Sequence, residues 1–351
     1  MTHMRREIEE IPAAVAALLG ADPAPRDAAA SAIQESQPRF ASIVARGTSD
    51  HVAIYAKYLF EVYLGIPVQL AAPSVTTVYG GALPGRDGVM IAISQSGRGD
   101  DAIAITESAR RQGWPTIAVT NDPGSPLATA AEYVLDCAAG REDAIPATKT
   151  YTLAQVVVAS LVARLAPRSD LAEGLSRLAG ELAGSLPEAS EWIEAAAPPG
   201  GSPVDAFAVD GRALIVSRGF NLATALEVAL KLKEAAAVFA EAYSSADLLH
   251  GPVVLAGAGV PMLVVRPDGR TGRFVDDAIA EVEERGGAPF LIGGNDVDQR
   301  PRALSLAASL PESLTPIAYA LPGQLLAEAV GRRRGLNPDQ PGGLHKVTRT
   351  R

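Results

Sequence analysis

One succession of strand, turn and helix occurs twice in this chain, and that duplication restricts the fold more than any other feature. Arg46-Gly47 and Arg218-Gly219 are separated by the same number of residues as Met90 and Met262. In the first half, short apolar runs of strand length cover Phe40 to Ala45, Val68 to Ala71, Val89 to Ile93, Thr116 to Thr120 and Tyr133 to Cys137. Helical patterns follow at Val52 to Leu64, Ala102 to Arg111 and Tyr151 to Leu165. In the second half, strands are expected at Ala213 to Val216 and Pro261 to Val265, with helices at Leu222 to Phe239 and Asp276 to Glu284. Strands alternating with helices imply an α/β fold whose parallel sheet is covered on both faces. A matched offset between landmarks points to internal duplication.

The expected organisation is a helical arm over 1–34, a first domain over 35–166, a helix and linker over 167–203, a second domain over 204–335, and a tail over 336–351. Pro198-Pro199-Gly200-Gly201-Ser202-Pro203 is the clearest boundary signal. A net charge of -9 argues against nucleic acid, because phosphate backbones need concentrated positive charge. One cysteine, Cys137, excludes a disulfide framework and a cysteine-rich metal site. No apolar run reaches spanning length and the first residues lack a secretory core, so a cytoplasmic protein with no membrane partner is expected.

The stretch Val89 to Asp101 has the form of an anion seat. A buried strand breaks into Ser94-Gln95-Ser96-Gly97-Arg98-Gly99, and a helix opens behind it. Such a turn points free N–H groups of a helix start at one place. Ser94, Gln95 and Ser96 add neutral donors there. The competing reading is a serine capping an ordinary helix. The second half has Arg266-Pro267-Asp268-Gly269 at the matching place. Proline removes an N–H donor and aspartate repels an anion, so one phosphate cradle per chain is expected, in the first half.

The candidates for proton chemistry lie in the second half. In ALEVALKLKEAAAV, helical spacing brings Glu227, Lys231 and Glu234 to one side and turns Lys233 away. An exposed i,i+4 pair has this spacing, and so does a general base beside a lysine in a cleft. In the Glu241 to Pro252 segment, His250 is expected on a loop just before a glycine and a proline, ahead of the next strand. Its imidazole is either structural or a proton-transfer group. The tail from Gly335 to Thr348 has no regular pattern; it either frays or closes over a site with Lys346.

Together these residues resemble the sugar isomerase (SIS) family. The marks are Arg46-Gly47-Thr48-Ser49-Asp50-His51, the Ser94 to Gly97 turn, Ala147-Thr148-Lys149, Ala229 to Glu234, Glu241 to Pro252, and Asn337 to Thr348. Nearly the whole chain is similar to the isomerase half of glutamine–fructose-6-phosphate amidotransferase. It is closer still to SIS-type glucosamine-6-phosphate deaminases in Gly-Arg after Ser-Gln-Ser, in Ala-Glu-Ala-Tyr-Ser-Ser and in Asn-Pro-Asp-Gln-Pro. The resemblance implies two SIS domains, each a parallel five-stranded sheet flanked by helices in a flavodoxin-like αβα sandwich. It implies a 6-phosphosugar bound by Gly47, Thr48, Ser49, Ser94, Gln95, Ser96, Gly97, Arg98, Gly99 and Ala147.

The implied catalytic groups are Glu234 for proton transfer between C1 and C2, His250 for ring opening, Lys346 as an amine for a ketose Schiff base, and Lys231 on the sugar hydroxyls. The implied reaction takes glucosamine 6-phosphate to fructose 6-phosphate and ammonia, with no metal or nucleotide cofactor, in a homodimer whose subunits share the site. No glutaminase domain precedes residue 35, so ammonia from glutamine is not expected of this chain alone. Other ketose/aldose isomerases, fructosamine-phosphate deglycases and non-catalytic sugar-phosphate sensors share many of the marks. Three departures stand out: amidotransferases have Thr at Gly99, Arg-Asn at Gly342-Gly343, and Cys at Arg46.

Overall fold

The structure, a computed structural model, describes residues 1–81, 83, 85, 87–167, 169–195, 201–257, 259–297, 300–307 and 309–346. The expected boundary at Pro198-Pro199-Gly200 and the tail residues Val347 and Thr348 lie outside the described residues. From the N-terminus the chain forms α1 (His3–Glu9), α2 (Ile11–Gly20), α3 (Ala24–Ser36), β1 (Phe40–Val44), α4 (Thr48–Leu59), β2 (Val68–Leu70), α5 (Pro73–Thr77), β3 (Gly88–Ile93), α6 (Asp100–Arg111), β4 (Thr116–Thr120), α7 (Pro126–Ala130), β5 (Tyr133–Asp136), α8 (Lys149–Leu165) and α9 (Leu171–Glu194). It continues through α10 (Pro203–Val209), β6 (Arg212–Ser217), α11 (Leu222–Ala236), β7 (Phe239–Ser244), α12 (Ser245–Leu249), β8 (Met262–Arg266), α13 (Gly272–Glu284), β9 (Phe290–Gly293), β10 (Ala303–Ser305) and α14 (Thr315–Arg333).

Two compact units result. The first-sheet unit comprises Ala14–Glu142, Lys149–Ser176 and His345–Arg351; the second-sheet unit comprises Met1–Ala13, Asp143–Thr148 and Arg177–Leu344. The first sheet has the order β2-β1-β3-β4-β5, all parallel, with Ile43 beside Ile91 and Ile91 beside Ile117. β3 and β4 are buried along their whole length, which is why they read as unbroken apolar runs. Val44, Met90, Ala92 and Ala118 pack on Ala102, Ile105 and Ala109 of α6 and Leu127 of α7. Trp114 meets Phe40 edge-on at 5.2 Å between centroids.

The second sheet repeats that order as β10-β9-β8-β6-β7, again parallel. The α/β fold with two parallel five-stranded sheets is therefore as the sequence implied. Leu214, Val216, Met262, Val264 and Leu291 pack against Val275, Ala278, Ile279 and Val282 of α13. α11 is enclosed by α14, β6 and β7. Gly323 of α14 permits this closeness, because a Cβ there would lie 2.1 Å from Val228 Cγ2. Among the described residues, no helix is long and apolar enough to cross a membrane.

One expected helix is shorter than its pattern. α11 stops at Ala236, where Ala237 turns left-handed (φ 50°), instead of running on to Phe239. Phe239, expected at the end of the helix, instead opens the edge strand β7 (Phe239–Ser244), whose remaining residues had no assigned pattern. An edge strand pairs on one side only and is half-buried, so it needs no apolar run. β9, β10 and α14 complete the second unit from stretches whose patterns were not assigned.

Candidate functional site

In the first sheet the chain order reverses between β1 and β3, and the crevice at the carboxyl ends of such strands is where open α/β sheets take ligands. Two turns leave the sheet there. Gly47, with φ 56°, lets the chain swing from β1 into α4, and Thr48 and Ser49 open that helix half-exposed. The second turn, after β3, is pinned by its own backbone. Ser94 N donates to Val119 O at 3.0 Å, and Gly97 N donates to both Ser94 O and Ser94 Oγ at 3.2 Å. Gln95 O accepts from Asn121 N, and Gly97 O accepts from Leu127 N. Gly97 has φ 60°, and a Cβ there would fall 2.1 Å from Ser125 Oγ, so no other residue fits. The side chains of Gln95 and Ser96 are half-exposed and have no hydrogen-bond partner among the described residues.

Helix α6 begins at Asp100 after Gly99, whose place offers no capping side chain, and Asp101 Oδ1 accepts from Ala102 N at 2.9 Å. The remaining N–H groups of the helix start face the same turn. Arg46, from the first turn, holds the half of α6 nearest the crevice: its Nε and Nη2 lie 2.9 and 2.8 Å from Asp101 Oδ2. Arg98 is held by Asp122 at 3.0 Å. Burial raises the Asp50 carboxyl above the ordinary aspartate range, while His51 and Arg46 oppose that shift. The result is a rigid, glycine-cornered turn with neutral donors at a helix start, a geometry suited to an anion of phosphate size.

In the second-sheet unit the matching crevice is filled. Arg266 ends β8 and is nearly buried, held by Asp276 at 2.7 Å, Asp296 at 2.5 Å and Asp268 at 3.3 Å. Asp268 also takes the N–H groups of Asn295 and Asp296. An arginine ringed by three carboxylates leaves a negative surplus and occupies backbone donors, which disfavours a second phosphate.

That unit carries the proton-transfer candidates on α11. Glu227 and Lys231 are fully buried, which excludes the exposed-pair reading of their spacing. Lys231 Nζ lies 3.5 Å from Glu227 Oε1 and donates to Glu234. Glu234 is the outermost of the three, with a quarter of its side chain exposed. Lys233 points away to Glu241 at 3.6 Å. The buried ammonium sits between the two carboxylates and positions the one that opens to solvent, Glu234. A fixed carboxylate open on one side is the arrangement a general base requires.

His250 closes α12, its backbone N–H bonded to Ala246 O and Asp247 O. Its imidazole is exposed and has no hydrogen-bond partner among the described residues; it is not joined to Lys231 or Glu234. Leu249, Val254 and Leu255 beside it expose apolar surface.

Ala147 is half-buried in the strap Asp143–Thr148 of the second-sheet unit. There Glu7 accepts from the N–H groups of Asp143 and Ala144, Ile145 N donates to Asp339 O, and Gln324 donates to Thr148 O. His3, Glu7 and Asp143 bring three possible metal ligands together. Glu7 is occupied by those N–H groups, and Arg6 lies 2.8 Å from His3 Nδ1 and 3.7 Å from Asp143, so a cation would have to displace an arginine.

Lys346 lies in the first-sheet unit, where its Nζ donates to Glu142 Oε2 at 2.7 Å. Glu142, Asp50 and Arg46 were not among the site candidates of the sequence. Glu142 sits in an aperiodic polar loop, and only a long-range partner reveals it.

The SIS domain family matches residues 36–164 and 206–327. The glutamine–fructose-6-phosphate aminotransferase (isomerizing) of Methanothermobacter thermautotrophicus is 35% identical over 308 residues, which is 86% of this chain and 50% of that protein. Its Escherichia coli K12 counterpart is 32% identical over 316 residues, 87% of this chain and 50% of that one. The chain thus spans about half the length of these relatives. Among solved structures, a candidate phosphosugar isomerase from Silicibacter pomeroyi superposes with a TM-score of 0.85 at 33% identity, covering 97% of this chain and 100% of that one. The glucosamine-6-phosphate deaminase of Thermotoga maritima, at 19% identity and a TM-score of 0.78 over 99% of this chain and 100% of that one, shares the fold.

Proposed function

Because the chain belongs to the SIS domain family, we propose that it is an aminosugar-phosphate deaminase that converts glucosamine 6-phosphate and water to fructose 6-phosphate and ammonia. The phosphate binds at Ser94, Gln95, Ser96 and Gly97, with Thr48 and Ser49 of the neighbouring turn and Ala147 of the strap as further contacts. Arg98 and Gly99 flank the phosphate, and Gly47 lets the chain approach it closely. His250 moves a proton from the anomeric hydroxyl to the ring oxygen, which opens the sugar. Glu234 then takes the C2 proton, so that C1 and C2 share an enolamine, and returns the proton to C1. The product is an imine at C2. Water adds to that carbon and ammonia leaves, giving the ketone. Lys231 holds Glu234 and the sugar hydroxyls. Lys346 supplies an amine to the ketose carbonyl when the reaction runs backwards.

The observation that carries this reading is on α11: a fully buried ammonium beneath a carboxylate that remains partly open. The apolar surface of Leu249, Val254 and Leu255 around an otherwise unengaged His250 supports a homodimer in which that histidine serves the neighbouring subunit. The test mixes purified protein with glucosamine 6-phosphate and follows ammonia, then repeats the assay with fructose 6-phosphate plus ammonium. Glu234→Gln should keep phosphosugar binding and lose turnover by a factor of about 10² to 10⁴. A fully active Glu234→Gln refutes the base assignment. Isomerisation of nitrogen-free phosphosugars without ammonia release would make the protein an aldose/ketose isomerase, and binding with no turnover of any phosphosugar would make it a sensor.

A further inference from the structure

Glu142 lies within the loop between β5 and α8, and its side chain has no solvent exposure. Donors that meet it include Thr150 N at 3.0 Å, Thr150 Oγ1 at 2.8 Å and Lys346 Nζ at 2.7 Å. Two of these are neutral and come from the start of α8, so they orient the carboxylate without balancing its charge. Lys346 brings a cation to it. Pairing with an ammonium favours a buried carboxylate, and here the ammonium comes from the chain end. Lys346 keeps about a quarter of its side chain exposed, so the ammonium sits at the mouth of a buried socket. The chain around it has no regular structure to fix it: Leu344 N bonds to Pro341 O at 3.3 Å, and residues 344–346 belong to no helix or strand.

We propose that Glu142 is the positioning residue for Lys346, a preformed anionic socket that docks the ammonium and thereby fixes the C-terminal segment on the first-sheet unit. Docking needs no substrate. Only its consequence for catalysis rests on the deaminase reading: a docked Lys346 has to leave the socket before its nitrogen can attack a carbonyl.

The test is amide hydrogen exchange on the full chain, read in peptides covering 342–351 and, as a control, in β1, β3 and α8. Glu142→Gln keeps the shape and Thr150 as a partner but removes the charge. It should speed exchange of the tail about tenfold or more, the loss expected for one buried charge-assisted hydrogen bond. Lys346→Met should do the same, and Lys346→Arg, which keeps the cation, should restore protection close to wild type. A merely structural role for Glu142 would raise exchange in α8 and the strands as well, and would gain nothing from Lys346→Arg. Unchanged tail exchange in Glu142→Gln, or exchange that rises equally in the control peptides, overturns the proposal. A wild-type chain that turns over no phosphosugar yet shows the tail-specific pattern defeats the deaminase reading and leaves the socket standing. Turnover of glucosamine 6-phosphate with a tail indifferent to Glu142→Gln defeats the socket alone.

Discussion

Lys231→Met removes the ammonium between two carboxylates and takes from buried Glu227 the cation that lies 3.5 Å from it. Lys231 and Glu227 are both fully buried, and their charged atoms are 3.5 Å apart. Breaking a buried pair by deleting one member costs about 3–5 kcal/mol, because the remaining buried charge loses its counter-ion. Methionine keeps most of the volume of the lysine stem, so the cavity contribution is small by comparison. The second-sheet unit should therefore lose two to nearly four factors of ten in its folding constant at neutral pH. The chain has one tryptophan in each unit, Trp114 and Trp192, and this allows each to be followed separately. Trp192 packs edge-on against Phe290 of β9, with 6.1 Å between centroids. In a Trp114→Phe background, fluorescence during urea unfolding reports the second-sheet unit only. The double variant Lys231→Met, Glu227→Gln should recover most of the loss, since the buried charge is then removed together with its counter-ion. A loss below about 1 kcal/mol at neutral pH, or a double variant worse than the single one, would refute the argument that charge burial governs this helix.

Gly97→Ala should be harmful at a distance from any catalytic group: a left-handed backbone and a Cβ 2.1 Å from Ser125 Oγ together cost about 2–4 kcal/mol. If the turn opens to accept the methyl, phosphosugar affinity measured by calorimetry should fall while Glu234 stays in place. Wild-type affinity in Gly97→Ala would show that the turn does not seat the phosphate. Asp50→Asn bears on pH. Burial raises the folded-state pKa of Asp50 above its unfolded value, so ionisation opposes folding increasingly from the unfolded pKa up to the folded one, and fully above it. The variant should raise the urea midpoint at neutral pH and leave it unchanged well below the ordinary carboxylate range; an equal gain at both would point to a cause other than charge.

Much of the first sheet is legible residue by residue, because buried parallel strands such as Val89 to Ile93 leave unbroken apolar runs. The edge strand β7 escaped for the opposite reason: paired on one side and half-exposed, Glu241 to Ser244 look like loop. The Ser94 to Gly97 turn was visible because glycine and small polar donors after a buried strand have few other uses. Glu142 was not, because a glutamate in a polar loop is unremarkable until Lys346, far along the chain, is found against it.

Local order alone determined the alternation of elements, the duplication and the side of α11 on which Glu227, Lys231 and Glu234 fall, since helix and strand periods are properties of neighbouring residues. Tertiary packing decided what those charges mean. Gly323 draws α14 onto α11 and takes Lys231 out of water, and Arg266 with three aspartates fills the second crevice while the first keeps Gln95 and Ser96 unengaged. Burial and counter-charge come from residues distant in sequence, so they set the chemistry of a side chain without leaving a mark beside it.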